Sequence, residues 1–143
     1  MTTKRILFTI VNLNVGGSEM SLYRILQTLD REKYAPTVVS LKGRGDLGPL
    51  IESLGVPVHV FNVSSIASYL LSLPRLARLI KSEKPDILQG WLYHANLALL
   101  IAKRLACSRA RLLWSIRNTL NAPNEISRSP IFMRLLVRIS ALL

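Results

Sequence analysis

Residues 5–29, "RILFTIVNLNVGGSEMSLYRILQTL", decide how the rest of the chain is read. The run "RILFTIV" is rich in β-branched and aromatic side chains and has the length of a buried strand. From Ser18 to Leu29, Met20, Tyr23, Leu26 and Gln27 recur at helical spacing. Gly16 and Gly17 lie between the two. A glycine pair joining strand to helix is expected to make a turn that can take positive φ and bring its backbone close to a ligand. The N–H groups and dipole of the helix start then favour a phosphate or carboxylate. Ser18 is expected to cap the helix, and Glu19 suits its first turn. A tight turn with a purely structural role is the plainer alternative.

The same alternation continues. "APTVVSL" (35–41) reads as a strand, "LGPLIESLG" (47–55) as a helix stopped at Gly55, and "VPVHVFN" (56–62) as a strand. Residues 73–83 form the next expected helix, with Leu73, Leu76, Ala77 and Ile80 on one side. "KPDILQGW" turns from loop into strand, "HANLALLIAKRLA" is a helix, "ARLLWSI" a strand, and "PIFMRLLVRISALL" a final helix. Strands alternating with helices imply crossover connections, so the expected fold is α/β, a Rossmann-like doubly wound and mostly parallel sheet in one domain, residues 1–143.

Composition narrows the class. With 143 residues, half of them apolar, the chain can bury one core. Cys107 is the single cysteine, which excludes an internal disulfide and argues against a thiol-rich metal site. The N-terminal apolar run is too short for a signal peptide and is broken by Asn12. The uncharged stretch from Leu54 to Pro74 is interrupted by Gly55, Pro57, His59, Asn62 and several serines, unlike a membrane span. A cytoplasmic protein is expected. The net charge of +11 is uneven: residues 71–143 carry twelve Lys/Arg against three Asp/Glu. Such an excess suits a polyanion, whether an anionic membrane, a nucleic acid or a phosphorylated substrate. No helix-turn-helix, RNA-binding aromatic motif or zinc pattern accompanies it, so nucleic acid is not the expected partner.

Three strand ends carry candidate chemistry at the edge where open α/β sheets keep their ligands. The first is the Gly16–Gly17 turn. The second is His94, which follows the strand "DILQGW"; it can hydrogen-bond a sugar hydroxyl or move a proton, or it can merely cap its helix. The third is Arg117 with Asn118, after "LLWSI", where a guanidinium offers planar donors to phosphate or carboxylate. Trp91 and Tyr93 can stack on a sugar or belong to the core, and His59 reads as structural. A dinucleotide site is disfavoured, because the G-x-G-x-x-G spacing is missing and Lys42 stands where a ribose-binding acid is wanted. No G-K-[ST] completes a phosphate loop either.

In this order, "RILFTIVNLNVGGSEMSLYRIL", "VVSLKGRGDLGPLIESLGVPVHVF", "LARLIKSEKPDILQGWLYHANLALLIAKRLA" and "LLWSIRNTL" resemble the N-terminal domain of the family-four retaining glycosyltransferases of the GT-B fold, over roughly residues 4–120. The resemblance implies that Gly16 and Gly17 form the loop near the donor diphosphate and acceptor. It implies that His94 is the catalytic histidine contacting the transferred sugar, and that Arg117 and Asn118 line the cleft. Members carry a second domain with an E-x7-E-type motif, which these residues lack. The expectation is therefore a truncated product, a fragment, or one subunit of a split enzyme with a C-terminal donor-binding partner, unable to complete transfer alone. The implied partners are a nucleotide-sugar co-substrate and a glycan or lipid-linked acceptor, with no metal and no other cofactor. A non-catalytic module that binds acceptor or membrane is the alternative. The final helix, with Arg134 and Arg138 among apolar neighbours, can lie on an anionic membrane at its inner face; a core helix is its simpler reading.

Overall fold

The computed structural model describes residues 3–115. Nine elements alternate: β1 (Lys4–Ile10), α1 (Gly17–Thr28), β2 (Tyr34–Ser40), α2 (Leu47–Ser53), β3 (Val58–Val60), α3 (Ile66–Glu83), β4 (Ile87–Trp91), α4 (Tyr93–Leu105) and β5 (Arg111–Ser115). The strands form one sheet in the order β3-β2-β1-β4-β5, and all four neighbouring pairs are parallel. This is the expected Rossmann-like, doubly wound α/β arrangement.

Strand alternation sorts the core into two layers. On one face, Phe8 and Ile10 of β1 pack with Leu22 and Leu26 of α1 and with Leu47 and Ile51 of α2. On the other, Leu7 and Leu88 pack with Leu73, Leu76 and Ile80 of α3 and with Ala95, Ala98 and Leu99 of α4. Each fully buried leucine of this kind contributes about 1.5–3 kcal/mol by leaving water. The chain runs outward from β1 through β2 to β3, then crosses to β4 on the other side of β1. The connection direction therefore reverses between β1 and β4, which opens a crevice at their carboxyl ends.

Three local expectations are corrected. The third helix begins at Ile66, seven residues before the expected start at Leu73. Ser65 caps it, accepting the N–H of Ser68 while the Ser68 hydroxyl accepts the N–H of Ser65, a reciprocal capping box built from serines. Pro74 sits within the helix on its exposed side, where the carbonyl it leaves unpaired one turn back can reach water. Ser18 does not cap α1: the N-cap is Gly16, and the Ser18 hydroxyl instead donates to Glu19 Oε2 at 2.7 Å. The glycine pair does not use positive φ either. Gly16 is extended (φ −159°), and the left-handed glycines are Gly45 and Gly55.

Candidate functional site

What Gly16 supplies is room. A Cβ there would lie 2.5 Å from Glu19 Oε2, because the glutamate folds back over the turn and is buried. Gly17 opens α1, and a Cβ on it would meet nothing within 4 Å. No side chain among the described residues caps α1, so the first-turn N–H groups that a cap would occupy are left to solvent or a ligand. The α1 start is thus an uncapped helix with an extended rather than left-handed Gly16, and the Glu19 carboxylate lies beside it.

His94 lies on the first turn of α4, directly after β4, the sheet neighbour of β1. Topology therefore brings the Gly16–Gly17 turn and His94 to the same edge, on the two strands that flank the crevice. The histidine side chain is exposed, and its backbone carbonyl accepts the Tyr69 hydroxyl at 2.8 Å, which ties α4 to the first turn of α3. Partial desolvation, and secondarily the charge of Lys42, hold the His94 imidazole below the ordinary histidine range. It is neutral at pH 7, ready to accept or donate a hydrogen bond to a hydroxyl. Burial pushes the Tyr69 phenol up to about 12, so it stays a donor. Lys42, exposed just beyond β2 and bonded through its N–H to the Val11 carbonyl, brings a cation to this edge. Sequence reading had weighed Lys42 only against a dinucleotide; its nearness to His94 becomes visible once the sheet order is known.

The α4 start is held under constraint. Leu92, its N-cap, is left-handed at φ 71° and ψ 162°, a conformation costing about 1–3 kcal/mol for a residue with a Cβ. Its N–H bonds the Ser115 carbonyl at 3.2 Å, joining the ends of β4 and β5. Below it, Gly90 lets the helix approach the strand: a Cβ on Gly90 would lie 2.2 Å from Asn96 Oδ1 and 3.0 Å from Asn96 Cα. Asn96 is 1% exposed, and its amide, like the hydroxyl of Thr9, has no partner among the described residues. Thr9 stands opposite Gly90 in the β1–β4 register, so both groups belong to the floor beneath α4. Neither was singled out from sequence, since only close packing makes an asparagine and a threonine unusual there.

Of the remaining candidates, Trp91 is core, packed in the α1–α2 layer. Tyr93 is half-buried, and His59 lies in the edge strand β3. Arg117 and Asn118 lie outside the described residues, as does the segment expected to form a final helix. No group of three or more His, Cys, Asp or Glu side chains able to hold a metal occurs among the described residues. No helix among them is long and apolar enough to cross a membrane.

Comparison with known proteins follows the geometry. The family model described as Glycosyltransferase Family 4 matches residues 15–141, and the chain belongs to that family. No curated protein matches the sequence. Among solved structures, Anabaena Alr3699/HepE in complex with UDP superposes with a TM-score of 0.71 at 21% identity, over 95% of this chain and 35% of its own. The same protein in complex with UDP and glucose gives 0.67 at 24%, over 94% and 35%. The lipopolysaccharide outer core galactosyltransferase WaaB, in its apo form, gives 0.61 at 15%, over 77% and 32%. At these identities the likeness is one of fold, the Rossmann-like domain of GT-B glycosyltransferases. The chain spans about a third of the length of these structures.

Proposed function

We propose that this member of Glycosyltransferase Family 4 is the N-terminal, acceptor-side domain of a GT-B enzyme that moves a sugar from a nucleotide-diphosphate donor to an acceptor hydroxyl with retention of anomeric configuration. The observation that carries the reading is the placement, on the two strands flanking the β1–β4 crevice, of an uncapped helix start behind Gly16–Gly17 and of His94. The α1 amides and dipole, with Lys42, stabilise charge on the leaving diphosphate electrostatically, and no metal is required for that role. His94 hydrogen-bonds the transferred sugar, and Arg117 with Asn118 lines the cleft. The bulk of the donor site belongs to a second Rossmann-like domain outside these residues, on the same or a partner chain.

A nucleotide-sugar donor is supported by HepE, which was solved in complex with UDP and with UDP and glucose. A lipid-linked acceptor is supported by the outer surface of α3, where Ile66 (82% exposed), Leu70 (58%) and Leu71 (74%) precede exposed Arg75 and Arg78. Apolar side chains beside cations suit an anionic membrane face, so a peripheral position at the inner leaflet follows.

The test is transfer from labelled UDP-glucose to a membrane glycolipid fraction, using the chain expressed together with its donor-binding half. His94→Ala is expected to lower transfer about 10²-fold or more while leaving thermal stability unchanged. Undiminished transfer by His94→Ala would remove the histidine from the mechanism, and an inverted product anomer would remove retention.

A further inference from the structure

A cavity of about 580 Å³ opens at the opposite, amino-terminal edge of the sheet, away from the crevice. Its floor is apolar: Ile80, Pro85, Ala106 and Ala110 are all buried. Its rim is basic, made by Lys4 at the start of β1, Lys81 and Lys84 at the end of α3, and Arg109 and Arg111 at the entry to β5. These five side chains come from three separate parts of the chain, so tertiary folding gathers them. Among the described residues none of them takes part in an ion pair; the pairs there are Lys33 with Asp30 and Arg44 with Glu52. The one carboxylate in the lining, Asp86, accepts the backbone N–H of Arg5 at Oδ2 (2.8 Å) and leaves five cations against a single negative charge.

Part of this charge has a structural explanation. Lys81 and Lys84 lie in the last turn and at the C-cap of α3, where cations complement the helix dipole. Lys4, Arg109 and Arg111 stand at strand entries, where no helix end calls for them. Gathering like charges around an apolar concavity costs free energy through mutual repulsion, and an anion reverses the sign of that term. Ser108 adds a hydroxyl donor, since its Oγ accepts the Ala110 N–H at 3.2 Å and keeps its own proton free. The volume lies within the range of roughly 300–1,000 Å³ typical of small-molecule sites, with an apolar floor and a few convergent polar groups.

We propose that this basal cavity binds a phosphate-bearing anion, as a site separate from the sugar-transfer crevice. Guanidinium and ammonium donors converging from several sides suit the oxygens of a phosphoryl group. The ligand is either a soluble phosphorylated molecule or the headgroup of an anionic phospholipid, and the experiment separates the two.

The 143-residue chain is titrated calorimetrically with inorganic pyrophosphate at fixed ionic strength, and floated with vesicles of phosphatidylcholine with and without phosphatidylglycerol. Binding of one pyrophosphate per chain is expected. Lys84→Gln with Arg109→Gln should weaken it at least tenfold, whereas Arg24→Gln with Arg104→Gln, which removes equal charge at exposed residues that do not line the cavity, should not. Circular dichroism checks folding, and Lys84→Asn, which tolerates the left-handed backbone of Lys84 (φ 47°), serves if the double variant misfolds. Flotation that needs phosphatidylglycerol and is inhibited by pyrophosphate assigns the site to a lipid headgroup; pyrophosphate binding without flotation assigns it to a soluble ligand. Equal loss in both double variants, or no measurable pyrophosphate binding, would overturn the proposal.

Discussion

Replacing Gly90 by alanine tests how tightly α4, and with it His94, is held against the sheet. The new methyl carbon would lie 2.2 Å from Asn96 Oδ1 and 3.0 Å from Asn96 Cα, both shorter than van der Waals contact allows. The oxygen cannot swing aside into solvent, because Asn96 is 1% exposed. The Cα can retreat only if the first turn of α4 lifts, and that turn is tied by Leu92 N–H to Ser115 and by Tyr69 to the His94 carbonyl. Overpacking of this kind costs about 1–3 kcal/mol. The expected result in urea unfolding of the whole chain is a loss within that range. Asn96→Ala removes the nearer clash and an amide buried without a described partner, so the double variant should recover about 1 kcal/mol relative to additivity. A loss below about 0.5 kcal/mol for Gly90→Ala, or strict additivity of the two changes, would refute the close approach of α4 to β4.

Two further outcomes follow from local geometry. Ser65→Ala deletes the acceptor for the Ser68 N–H at the start of α3 and should cost about 1 kcal/mol in the same unfolding assay; a neutral effect would mean that the cap does not hold the helix end. The depressed pKa of His94 means that the unfolded chain binds its proton first as pH falls. The contribution of this group to stability is therefore present above about pH 6.5 and declines below it, through the folded-state value. Lys42→Met should raise the His94 titration midpoint in an NMR experiment, though not fully to the free value, because desolvation is the larger cause. An unmoved midpoint would place Lys42 too far away to act.

Much of the architecture was legible in the chain itself. The strand "RILFTIV", the helix after Gly16–Gly17 and the stop at Gly55 all stand in the structure within a few residues, because period and punctuation are local properties. The start of α3 was hidden for an equally local reason. Ser64, Ser65, Ser68 and Ser72 look like loop residues, yet Ser65 and Ser68 act as a cap and Ser72 lies within the helix. The strand-end rule put the Gly16–Gly17 turn and His94 at one edge of the sheet, and the strand order places them there. Lys42, Tyr69, Asn96 and Thr9 went unassigned, because each matters only through a neighbour distant in sequence.

By itself, then, the sequence determined the order of elements, the parallel α/β class and the strand ends that carry polar chemistry, since all three rest on patterns read within one segment. The tertiary structure alone decided that β4 returns beside β1, that Gly90 admits Asn96, that desolvation and secondarily Lys42 act on the His94 imidazole, and that five cations surround a basal cavity. These are contacts between segments tens of residues apart, and the packing of helices on a sheet fixes them through shape and burial, which no local spacing encodes.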